Sequence, residues 1–85
     1  MQIGHDTFFT ADIIDERNGI LIAEVVLESE GHCIKAGKAK VDGESVLLTP
    51  DLETFLNTQG LDRSVALDDI ELACQGARKI FINFG

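Results

Sequence analysis

The feature that most constrains this chain is the run Ile20-Leu21-Ile22-Ala23-Glu24-Val25-Val26-Leu27, apolar at seven of its eight positions. A chain of 85 residues has room for one domain and one modest core, so a segment this apolar belongs at its centre. Its periodicity does not separate a buried strand from a buried helix. The branched Ile and Val side chains favour a strand. The acidic residues Asp15 and Glu16 ahead of it, and Gly31 beyond it, favour a helix of about four turns. On these residues alone both readings stand.

The segments around the run are easier to read. Residues 7–14 (TFFTADII) are rich in aromatic and β-branched side chains and predict a strand. HCIKAGKAKV predicts a second strand with an irregularity or bulge at Gly37. Asp42-Gly43 is a hairpin signal, and residues 45–49 form the returning strand. Thr49 is a good N-cap and Pro50 suits the first helical position. Asp51 and Glu53 complement the helix dipole, Leu52, Phe55 and Leu56 make an i, i+3, i+4 stripe, and Gly60 marks the stop. Ser64 is placed as the cap of a further short turn. Residues 70–74 and 79–84 alternate in the manner of strands about a turn at Gln75-Gly76. The reading is a single α+β domain over residues 1–85 with a mainly antiparallel sheet. If residues 16–30 are helical, it consists of two β-α-β-β-like units, ferredoxin-like in character.

Fifteen acidic and seven basic residues give a net charge of −8. That balance disfavours a nucleic-acid binder, which needs Lys and Arg in excess, and an anionic membrane surface. No stretch approaches the roughly 20 apolar residues of a membrane span. The start MQIGHDTFF has no basic n-region followed by an apolar core, so a cytoplasmic protein is expected. In that compartment Cys33 and Cys74 are expected to be small buried hydrophobes rather than a disulfide. Lys35, Lys38 and Lys40 form a small basic stripe in the acidic chain. Strict alternation puts Lys38 and Lys40 on one face and Lys35 opposite.

Motifs for chemistry fail on spacing. Gly31 and Gly37 enclose five residues, and Ala39 follows Lys38, where a phosphate-binding loop needs four residues and then Ser or Thr. His32 and Cys33, as strand neighbours, point to opposite faces and do not converge, and His5 is far off in the chain. No zinc-type spacing is present. The acidic groups Asp12/Asp15/Glu16 and Asp68/Asp69/Glu71 lack the spacing of a calcium loop and read as exposed charges. No cofactor is expected.

Residues 23–72 resemble the regulatory (effector or coupling) proteins of soluble diiron monooxygenases. The likeness lies in an ordered succession: AEVVLESEG (23–31), GKAKVD (37–42), VLLTPDLETFLNTQG (46–60) and DDIEL (68–72). It departs from that family at Ser29-Glu30, where Asn-Pro is usual, and at Leu61-Asp62-Arg63, where an aromatic often follows the Gly. The resemblance implies a protein with no catalytic residue or cofactor of its own, which docks on the hydroxylase component and modulates oxygen activation and turnover. It also implies paired β-α-β-β units, with residues 20–27 helical. Carried over residue by residue, the partner-binding positions are Asn18, Glu28, Gly31, Lys40, Asp42, Glu53 and Gly60.

Two other classes compete with this reading. An acidic interaction module, such as an inhibitor, immunity or anti-defence protein, would line Asp and Glu along one face in charge mimicry. A small metabolite-sensing domain would show a pocket with convergent polar groups. The effector reading instead expects a mixed patch that includes Lys35, Lys38 or Lys40.

Overall fold

The first chain reversal falls where Asn and Gly stand side by side. Asn18 and Gly19 have φ of 52° and 83°, the paired left-handed geometry of a type I′ turn. In the computed structural model, which describes residues 7–84, they join β1 (Thr7–Arg17) to β2 (Ile20–Ser29). Glu30 and Gly31, with φ of 51° and 82°, repeat the device between β2 and β3 (His32–Asp42). A further tight turn leads into β4 (Ser45–Leu48). The four strands form an antiparallel meander in the order β1-β2-β3-β4, and α1 (Pro50–Gln59) and α2 (Arg63–Phe84) follow.

The α+β class and the antiparallel sheet are as predicted; the order of elements is corrected. Residues 20–27 are strand, not helix, because side chains alternate strictly across β2: Leu21, Ala23, Val25 and Leu27 are buried, and the residues between them are half-buried. Residues 70–74 and 79–84 are not strands but parts of one helix of 22 residues. Ala66, Ile70, Cys74 and Ala77 are its buried positions, with Phe81 packed against the core one turn further on. Their spacing of four, four, three and four residues is the period of a helix face. The chain therefore runs ββββαα and does not divide into two β-α-β-β units.

Both helices lie on one face of the sheet. The core joins Phe9 of β1, the four buried residues of β2, and Ala36, Ala39 and Val41 of β3 to Leu52 and Leu56 of α1 and to the α2 stripe. Gly37 shows how closely α1 approaches: a Cβ built there would lie 2.8 Å from the backbone nitrogen of Leu52, and its φ is 149°. A side chain at this position would have to push the helix away.

The expected α1 is present, with Gly60 in the left-handed region at its end (φ 68°). Thr49 occupies the N-cap, but its side chain does not cap the helix. Its hydroxyl donates to the Lys38 carbonyl at 2.6 Å and so ties the helix start to β3. The cap of α2 is Asp62 rather than Ser64: its carboxylate accepts from the Ser64 and Val65 amides at 2.9 and 3.3 Å. Those two amides, Val65 first, hold the Asp62 carboxyl below its ordinary pKa. Asp69, two turns further along α2, accepts from the Phe9 amide at 2.8 Å. This satisfies an outward-facing donor on the edge strand β1, a position that otherwise invites pairing with another chain.

Candidate functional site

With both helices on one side, the other face of the sheet is left open among the described residues. Register determines what that face carries. On β2 it presents Ile20, Ile22, Glu24, Val26 and Glu28, alternating with the buried set. Their cross-strand partners include Phe8, Thr10 and Asp12 on β1 and Cys33, Lys35, Lys38 and Lys40 on β3. Leu47 of β4 pairs with Lys40 and adds an apolar group at one corner, 59% exposed.

The lysines depart from the strict alternation expected of them. Val25 pairs with Gly37 and Val26 with Lys35, so Ala36 is an extra residue in β3. This bulge lets Ala36 and Gly37 both face the helices, and it shifts the phase of everything before it. Lys35 therefore joins Lys38 and Lys40 on the open face instead of pointing the other way. Among the described residues none of the three lysines makes an ion pair, although Glu24 lies directly across from Lys38.

Charge is sorted by strand across this face. Asp12, Asp15, Glu24 and Glu28 lie on β1 and β2, and the three lysines on β3, followed in the same phase by Asp42 at the end of that strand. Arg17 is paired locally with Asp15 at 2.9 Å. The Arg17 hydrogen bond, helped by the Glu16 amide, holds the Asp15 carboxyl below its usual value. Five acids, Asp42 included, and four bases nearly balance here, so most of the net −8 of the chain lies off this face. At the Asn18-Gly19 end, a depression of about 460 Å³ opens on this face, with Ile14, Ile20 and Ile22 beside Asn18, Lys38 and Lys40.

The seven predicted contact residues are not brought together. Asn18 and Lys40 meet at the depression. Glu28 is on the same face but at the far end of β2, beside the Gly31 turn. Asp42 is exposed at the last position of β3. Gly31, with φ of 82°, is the second residue of a hairpin turn, and Gly60 is a helix stop; both positions have a backbone reason for glycine. Glu53 lies in the helix layer, where it accepts from Arg63 at 2.8 Å and joins the two helices. The Arg63 hydrogen bond lowers the Glu53 pKa, and the Arg63 pKa rises in turn.

The cysteines separate to the two sides of the sheet. Cys74 is fully buried as expected, its thiol pushed up to about 11 by burial. Cys33 is exposed on the open face, contrary to expectation. Its thiol donates to Glu28 at 3.6 Å, and that hydrogen bond together with the nearby negative charge raises its pKa and keeps it protonated. Among the described residues no group of three or more His, Cys, Asp or Glu is arranged to hold a metal ion, and no helix is long and apolar enough to cross a membrane. His5 lies outside the described residues. Compared with protein-family models, with curated proteins and with solved structures, the chain matches none.

Proposed function

We propose that this chain is a non-catalytic protein-binding module that docks a partner of mixed charge through its open sheet face. The observation that carries this is the row of Lys35, Lys38 and Lys40, brought into one phase by the Ala36 bulge on a face that no other element among the described residues covers. Bulges are local devices that re-aim side chains, and here the result is a basic row beside a strand that alternates apolar and acidic groups. Its mixed character favours this reading over charge mimicry, which expects Asp and Glu alone along one face.

The narrower reading, a regulatory protein acting on the hydroxylase of a diiron monooxygenase, rests on the resemblance of residues 23–72. The lysine row is the mixed patch that reading expects, whereas the ββββαα order differs from its paired units. It works by differential binding to two states of the hydroxylase, for which about 1–3 kcal/mol of coupling suffices.

A photo-crosslinker attached at Cys33 tests the docking surface. Joining to one defined partner, and loss of the product on reversing the lysine row to Glu, is the expected result. An unchanged yield in the reversed variant removes the open face from the reading. For the hydroxylase, the measurement is product formed per NADH when the chain is added to hydroxylase and reductase. No change in that ratio excludes the narrower reading.

A further inference from the structure

We infer that the open face fits a second copy of this chain, packed sheet to sheet about a two-fold axis parallel to the strands. This rests on the open face being the docking surface proposed above, and it names the occupant. The argument is charge complementarity combined with symmetry. The acids Glu24 and Glu28 lie on β2 and the lysines on β3, the two central strands of the meander. A two-fold axis running between and parallel to these strands sets β2 of one copy over β3 of the other, and the reverse, as an isologous interface requires.

Glu24 and Lys38 occupy the same register row, so the operation places Glu24 of each copy over Lys38 of the other. The four groups close into a ring of alternating sign. The row beside it sets Val26 over Lys35, and the next row on the other side sets Ile22 over Lys40, where apolar side chains meet lysine stems. β1 falls over β4, with Leu47 over Asp15, which shares its register row.

A purely acidic partner would satisfy the lysines and repel Asp12, Glu24 and Glu28, and a purely basic one would do the reverse. A rotated copy of this chain instead meets Glu24 with a lysine and Lys38 with an acid in the central row, and offers apolar neighbours to Lys35 and Lys40. Most of the described acids lie off the nearly balanced open face and so stay outside the contact, where salt screens them beyond about 8 Å. Strand spacing and rise give the face roughly 500–600 Å², below the roughly 800 Å² per partner of a standard interface. The dimer is therefore expected to be reversible, in the micromolar range.

The test is sedimentation equilibrium on the full chain over a concentration series, with single and double charge reversals at one row. Glu24→Lys or Lys38→Glu alone places like charges together in the ring, and the dissociation constant is expected to rise at least about ten-fold. Glu24→Lys with Lys38→Glu restores the alternation and should return dimerisation to near the wild-type value. Thermal melts of each variant separate loss of association from loss of fold. A wild type that remains monomeric up to about 1 mM overturns the inference, as does a dimer insensitive to both single reversals. In the first case, a Cys33 crosslink to another protein that the lysine reversals abolish leaves the docking reading standing. If that crosslink also ignores the reversals, both readings fall.

Discussion

The two faces of this one sheet draw on the same kind of side chain and have different surroundings. From β2, Leu21, Ala23, Val25 and Leu27 point into the helices and are at most 5% exposed. Ile20, Ile22 and Val26 of the same strand point the other way and are only half-buried, flanked by Glu24, Glu28 and the lysine row. The strand is apolar on both sides, while the described residues cover only one. An apolar core thus accounts for half of the β2 composition, and the open face has its own pattern of charge and apolar groups to explain.

The contrast predicts that substitutions on the inner face destabilise far more than their outer counterparts. Leu52→Ala, at a fully buried position, should cost about 2–5 kcal/mol by chemical denaturation, a large share of a total expected near 4–13 kcal/mol. Lys38→Ala on the open face should change stability by less than about 0.5 kcal/mol. Equal effects would break the distinction between the faces. Gly37→Ala should cost about 1–3 kcal/mol, because the new methyl meets the α1 backbone rather than a side chain that can turn aside.

Smaller effects sharpen the picture. Asp69→Ala leaves the Phe9 amide without its acceptor and should cost about 1–2 kcal/mol, with faster hydrogen exchange at that amide as the specific sign. Gly76→Ala, at an exposed site of α2 with open space around it, should stabilise by roughly 0.5–1 kcal/mol. The smallest expected effect is that of pH. Asp15, Glu53 and Asp62 all have lowered pKa values when folded. Their contribution is present above the unfolded carboxylate range and is lost as acid protonates them. The melting temperature should therefore fall modestly from about pH 5 downward, and Glu53→Gln should flatten part of that slope.

What was legible in the sequence follows the same division. The β3–β4 hairpin and α1 were readable because their signals are local: Asp42-Gly43 at the turn, Thr49-Pro50 at the helix start and Gly60 at its end. β2 was not, because its open-face residues Ile20, Ile22 and Val26 fill the positions where polar side chains would have shown a period of two. The Asn18-Gly19 pair was the available signal for a hairpin there. In α2 the exposed Leu72, Ile80 and Ile82 imitate strand alternation with Ile70 and Cys74, and Gly76 imitates a turn. The stripe from Ala66 to Phe81 emerges only when the segment is scanned over more than four turns. Of the open face, the three lysines were visible as a basic stripe. Their common orientation depends on one extra residue in β3, which only the pairing register reveals.

The meander has a consequence for how the molecule assembles. Every strand pairs with its neighbour in sequence, so the sheet can zip outward from its tight turns with little loop-closure entropy at each step. The closure of long range is the docking of α2 on β1, where Phe9 meets Asp69 across 60 residues. Low contact order in the sheet and one late, distant closure point to rapid hairpin formation followed by a slower capture of the last helix.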